Sequence, residues 1–149
     1  MAPAFLKAEY DDRLGRVRAA MQSAGLEALI IGDPSNINWL TGYDAWSFYT
    51  PQMMLVDLHD GPVWMGRLMD ANSARFTTYL TEAQVIAYPE PLVQRADTHP
   101  MNFLAAWMRD NGFANATIGY ESDVYYLSPR AVGALQQDLP NANWQDADL

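Results

Sequence analysis

Tyr10, Leu14, Val17, Met21 and Ala24 recur at steps of four, three, four and three, which places them on one stripe of an α-helix over residues 8–24. Gly25 ends this pattern. Glu9, Asp11 and Asp12 precede Arg13, Arg16 and Arg18, an order that suits the helix dipole, and the basic trio is expected to form a solvated face. Residues 26–31, LEALII, form a short run that is apolar but for Glu27 between Gly25 and Gly32, as in a short strand buried on both faces. Residues 53–58 and 63–65 flank His59-Asp60-Gly61-Pro62 and predict a hairpin, with His59 in an exposed turn. Asp70 is placed to cap a helix over 71–80, a strand follows near 84–87, and Pro89 and Pro91 break 88–98 into irregular chain. Pro100 opens a further helix at its permitted first position, with Met101, Leu104, Trp107 and Met108 on one side and Gly112 beyond its end. His99 reads as part of that cap. A strand over 116–120, a helix capped by Ser128-Pro129 and carrying Val132, Leu135 and Leu139, and a strand over 143–145 complete the chain. Strands alternating with helices predict an α/β layered fold, and the hairpin makes its sheet mixed.

The stretch that fits neither period is 33–52, DPSNINWLTGYDAWSFYTPQ, where Trp39, Tyr43, Trp46, Phe48 and Tyr49 crowd between turn formers. Asp33-Pro34-Ser35-Asn36 can start one or two helical turns through 37–40, which Gly42 stops. Each ring brings roughly 150–250 Å² that prefers burial. The rings therefore belong either to the domain's own core or against a ligand or partner chain, where Trp and Tyr are enriched.

At 149 residues the chain suits a single domain, and 50% hydrophobic with 18% charged residues is a globular composition. The net charge of -9 speaks against nucleic acid or an anionic membrane surface as partner, because there is no basic surplus to displace counterions. With no cysteine there are no disulfides, thiolate nucleophiles or Cys-based zinc sites, and a reducing cytoplasm is the expected setting. Neither a secretory leader nor a membrane span is apparent in the pattern. The two histidines sit beside proline-containing turns without HExxH spacing. Asp33, Asp57, Glu121 and Asp123 lie near predicted strand ends, so a carboxylate-only metal site is the sharpest enzymatic reading, set against the commoner role of such acids as caps. No glycine-rich phosphate loop or GxSxG elbow occurs, and Ser47 has no evident histidine partner.

Motifs along almost the whole chain nonetheless resemble one family: EYDDRLGRVRAAMQSAGLEALI, the 33–52 stretch, VWMGRLMDA, HPMNFLAAWM, IGYESDVYYLS and LPNANWQDADL. The chain resembles the N-terminal domain of the creatinase and prolidase family, in particular its ectoine hydrolase-like branch, with creatinase and the Xaa-Pro dipeptidases and aminopeptidases more distant. The resemblance implies an α/β, ribonuclease H-like domain over 1–149: a mixed sheet of about six strands with helices on both faces. It also implies a C-terminal catalytic domain of pita-bread fold, absent from this chain, that hydrolyses a C–N bond in a small ectoine-like or Xaa-Pro-type substrate. In the peptidase members that domain holds the divalent metal, so neither catalytic nor metal-binding residues, nor any cofactor, are expected here.

What the family's N-terminal domain contributes is dimer contact and residues reaching the active site of the neighbouring subunit. The matching segment is Trp46-Ser47-Phe48-Tyr49-Thr50, which makes Trp46, Phe48 and Tyr49 the expected substrate-binding residues of the full-length homodimer. They should be partly exposed in this chain, and Trp39 should be core. Where creatinase follows its Ser-Phe with an arginine for the substrate carboxylate, this chain has Tyr49 and Thr50, leaving Arg67 and Arg75 as the next candidates. The alternative is a free-standing binding or interaction module of the same fold.

Overall fold

Leu29 and Ile30 point to opposite faces of one strand, and that alternation, carried across the sheet, organises the molecule. The structure is a computed structural model that describes residues 3–147. Its strands are β1 (Ala28–Ile31), β2 (Met53–Asp57), β3 (Val63–Arg67), β4 (Val85–Tyr88), β5 (Thr117–Tyr120) and β6 (Asn143–Asp146). They form one six-stranded sheet in the order β4-β3-β2-β1-β5-β6. β2 is antiparallel to both β1 and β3, whereas β1–β5, β3–β4 and β5–β6 are parallel, so the sheet is mixed as the hairpin predicts. Leu29, Ile31, Met54, Val56 and Trp64 bury one face in a core shared with α1 (Lys7–Ala24), α2 (Pro34–Thr41) and α3 (Ala71–Thr77). Ala28, Ile30, Met53, Leu55 and Met65 bury the other beneath α4 (Pro100–Asp110) and α5 (Pro129–Asp138).

Helix α1 ends where Gly25 takes φ 70°, the left-handed conformation that glycine adopts without strain, and Leu26 N–H reaches back to Met21 O at 2.9 Å. Tyr10, Leu14 and Met21 are buried, Val17 is half-buried, and Ala24, expected on the stripe, is exposed. The basic trio is not one solvated face. Arg13 lies three positions after Tyr10, hence on the buried side, and donates to Trp39 O at 2.7 Å and to Glu9 at 3.1 Å. Arg18 donates to Asp57 O at 2.8 Å and to Asp60 O, pinning α1 to the hairpin turn. Only Arg16 remains on the surface, paired with Asp12 at 3.2 Å. Leu14→Ala is therefore expected to lower stability by roughly 2–4 kcal/mol, lost burial plus a cavity. Arg16→Ala should change it by less than about 0.5 kcal/mol. Urea unfolding measures both, and equal effects would contradict this packing.

Helix α2 starts as its sequence predicts, with the Asp33 carboxylate accepting from Ser35 N and Asn36 N and Pro34 at the first position. Gly42, at φ 81°, ends it. Ile37, Leu40 and Thr41 form its buried stripe. Trp39 corrects the expectation of a core ring: it falls off that stripe and is 39% exposed, with the guanidinium carbons of Arg13 and Arg16 each 5.3 Å from a ring centroid. Asp70 makes no side-chain cap to α3, because its Oδ2 accepts from Gln52 Nε2 at 3.0 Å instead, and the helix stops at Thr77 rather than residue 80. His59 sits exposed in the β2–β3 turn.

Candidate functional site

β1 and β5 lie side by side and parallel, but the chain leaves them toward opposite faces, into α2 after β1 and into α5 after β5. Such divergence opens a crevice beyond the carboxyl ends of the strands. Glu121, directly after β5 and only 7% exposed, stitches its floor. Its Oε2 accepts from Gly32 N–H at 2.7 Å and Asp33 N–H at 2.8 Å, and its Oε1 from Asn36 Nδ2 at 2.6 Å. A cleft of about 310 Å³, which Gly32 lines but Glu121 does not, is walled by the 47–52 loop, the 92–100 segment and residues 125–130.

The aromatic loop divides at this cleft. Tyr43 is buried at 3% exposure, whereas Trp46 (49%), Phe48 (69%) and Tyr49 (51%) stand out as a rim. Their rings pack edge-on in a chain: Trp46 to Phe48 at 6.3 Å between centroids, Phe48 to Tyr49 at 5.9 Å, and Trp46 to Tyr126 at 5.0 Å. Tyr125, 84% exposed, extends the rim from Tyr126. Beneath the rings the backbone is tied down. Gln52 Oε1 accepts from Ser47 N–H at 2.9 Å, Thr50 Oγ1 donates to Ser47 Oγ at 2.8 Å, and Tyr88 Oη donates to Pro51 O at 2.8 Å. Tyr43 Oη donates to Ala45 O at 2.5 Å, and burial raises the pKa values of both tyrosines, keeping them as donors. The rim is thus apolar, held from below and bare above, the form of surface that a ligand or partner covers. Tyr125 and Tyr126 are not singled out by the sequence reading, although consecutive tyrosines between a strand end and the Ser128 cap mark them.

The charged candidates separate as well. Arg67 is not among the residues that line this cleft. It is engaged with Glu90, Nε to Oε2 at 2.8 Å and Nη2 to Oε2 at 2.8 Å, and it donates to Tyr49 Oη at 2.8 Å, steadying the rim. That guanidinium holds the Glu90 carboxyl below its ordinary pKa. Arg75 is occupied by Glu82 at 2.7 Å. Neither is placed to grip a substrate carboxylate. Asp33, Asp57, Glu121 and Asp123 do not converge: Asp33 caps α2, Asp57 accepts from the turn amides of His59 and Asp60, and Glu121 holds the crevice floor. Among the described residues no three His, Asp or Glu side chains gather as metal ligands.

The family model described as the creatinase/prolidase N-terminal domain matches residues 13–149. The chain belongs to this family. It is 45% identical over 145 residues to the ectoine hydrolase of Halomonas elongata, covering 97% of this chain and 36% of that protein. It is 43% identical over 147 residues to an uncharacterised hydrolase/peptidase of Sinorhizobium fredii, covering 37% of it. The chain therefore spans little more than a third of these relatives. Among solved structures, the creatinase/prolidase N-terminal domain of an X-Pro dipeptidase from Streptococcus pyogenes superposes with a TM-score of 0.71 at 20% identity, covering 91% of this chain and 92% of that one. A proline dipeptidase from Streptococcus agalactiae gives 0.71 at 18% identity, covering 91% and 92%. At such identities these likenesses establish the fold. Among the described residues no helix is long and apolar enough to cross a membrane.

Proposed function

We propose that this domain supplies an aromatic lip, Trp46, Phe48 and Tyr49, to a substrate site completed by a C-terminal catalytic domain, across the interface of a cytoplasmic homodimer. The reaction is hydrolysis of a C–N bond in a small ectoine-like or Xaa-Pro-type compound. The divalent metal of the peptidase members, where present, belongs to the catalytic domain. The 149 residues alone hydrolyse nothing. One observation carries this reading: three neighbouring rings lie about half or more exposed on a loop fastened to the domain by Tyr88 Oη, which donates to Pro51 O, and by Gln52 Nε2, which donates to Asp70. A flexible apolar loop would collapse onto the nearest core, whereas this one is kept from doing so. The identity to an ectoine hydrolase across nearly the whole chain supports the substrate class.

Hydroxyl-radical footprinting tests the covering of the rim. Trp46 and Phe48 should oxidise rapidly in the isolated chain and be several-fold protected in the full-length enzyme, with Trp39 changing less. Equal oxidation of Trp46 and Phe48 in both forms would overturn the reading.

A further inference from the structure

On the α1 side of the sheet the core stops short of the edge. Residues of β1, β2, β3 and β4 are sealed there with α1, α2 and α3, but among the described residues none of β5 or β6 belongs to that cluster. The apolar side chains of those two strands, Ile118, Tyr120 and Trp144, serve the core on the opposite face. What remains beside α1 and α2 is an open groove of about 590 Å³. Leu29, Ile31 and Leu40, all buried, line it together with half-buried Val17 and Val124 and exposed Ala20.

Ala147, directly after β6, also lines this groove and belongs to the core on the α1 side. Its N–H donates to Tyr120 O at 3.0 Å, and it lies over Gly119, where a Cβ would come within 3.0 Å of its own. The chain thus leaves β6 on the α1 side, already inside the groove. It spans little more than a third of its curated relatives, so in a protein of their length a further segment begins at this point. We propose that the groove is the docking site of the segment directly following residue 149 in the full-length protein, an amphipathic stretch whose apolar side extends the α1-side core over β5. The inference rests on the reading that a catalytic domain follows this one, and it is independent of the aromatic lip.

The walls suit such an occupant better than a small ligand. Asn36 Nδ2 donates to Glu121 Oε1 at 2.6 Å and Arg16 is met by Asp12 at 3.2 Å, so the polar groups at the groove are engaged with protein partners. A small-molecule site keeps a few polar groups to orient what it binds. A joined segment needs none, because its tether holds it at high local concentration and burial of apolar surface then suffices. The alternation of strands and helices along the chain calls for a helix after β6. Val17, which the helical stripe of α1 places in the core, is only half-buried without that cover.

Thiol accessibility tests the docking. The 149 residues contain no cysteine, so Ala20→Cys in the groove and Gln22→Cys on the opposite side of α1 each introduce a single reporter into the domain. Both positions are exposed in this chain. N-ethylmaleimide labelling, located by peptide mass spectrometry, should be at least about tenfold slower at position 20 in the full-length protein than in the 149-residue chain, since only an opened groove admits the reagent. Position 22 should label equally in both. A chain extended by about 20 residues beyond 149, enough for a short helix and its connection, should already show the slowing. Trp39, shaded by Arg13 and Arg16, gains less cover than position 20. Equal labelling of position 20 in all three forms would overturn the docking, as would slowing that requires the whole catalytic domain. Slowing in the 149-residue chain that grows with its concentration would make a second copy the occupant and overturn it too. If position 20 stays open while Phe48→Ala impairs the full-length enzyme, the docking is wrong and the aromatic lip stands. If position 20 is covered and Phe48→Ala is silent, the lip alone is wrong.

Discussion

Phe48→Ala in the full-length enzyme is expected to reduce kcat/KM by roughly ten- to a hundredfold, because a ring buried against substrate contributes about 1.5–3 kcal/mol and each 1.36 kcal/mol is tenfold in rate. The folded domain should hardly notice. Phe48 is 69% exposed and touches its neighbours edge-on, so truncation leaves no cavity, and stability should move by less than about 0.5 kcal/mol. Steady-state kinetics beside thermal unfolding separates the two effects. Unchanged kinetics would remove Phe48 from the substrate site, and a large fall in Tm would return it to the core.

Glu121→Ala should do the reverse, destabilising the chain by roughly 2–4 kcal/mol before any question of activity arises. The carboxylate sits at 7% exposure and accepts from Gly32 N–H, Asp33 N–H and the Asn36 amide. Removing it strands these donors where β1 hands over to α2, and a buried donor without a partner forfeits its hydration as well as its bond. Gln in its place keeps one acceptor but turns an amide toward a donor, so Glu121→Gln should lie between wild type and Ala. Urea unfolding orders the three. Equal midpoints would show that water replaces the carboxylate.

Sequence periodicity delivered the layers because strand and helix periods are local properties. The apolar end of the 26–31 run, Ala28–Ile31, becomes β1, and the Asp33 cap and the Gly42 stop bound α2. Errors arise where a partner distant in sequence decides. Arg13 reads as surface by its charge, yet it bonds to Trp39 O across 26 positions. Asp70 has the sequence of a cap, but Gln52 claims it from the neighbouring loop. Trp39 was legible in principle: measured against Ile37, Leu40 and Thr41 it points away from the buried stripe, and ring size obscured the angle. The exposure of Trp46, Phe48 and Tyr49 came from resemblance, since composition alone allows either core or rim. Tyr125, Tyr126 and Arg130 join that rim and cleft only because β5 ends beside β1, which no spacing along the chain expresses.

The way the 43–52 loop is fastened bears on how such a domain diversifies. Its shape is set by Gln52, Thr50, Tyr43 and Tyr88, none of which belongs to the exposed rim, so the frame is indifferent to which side chains it displays. Positions 46, 48 and 49 can exchange one ring for another, or for a smaller group, without drawing on the marginal stability of the fold. Selection on what is recognised is then uncoupled from selection on folding, and lineages sharing this scaffold are free to part in chemistry while their cores stay alike.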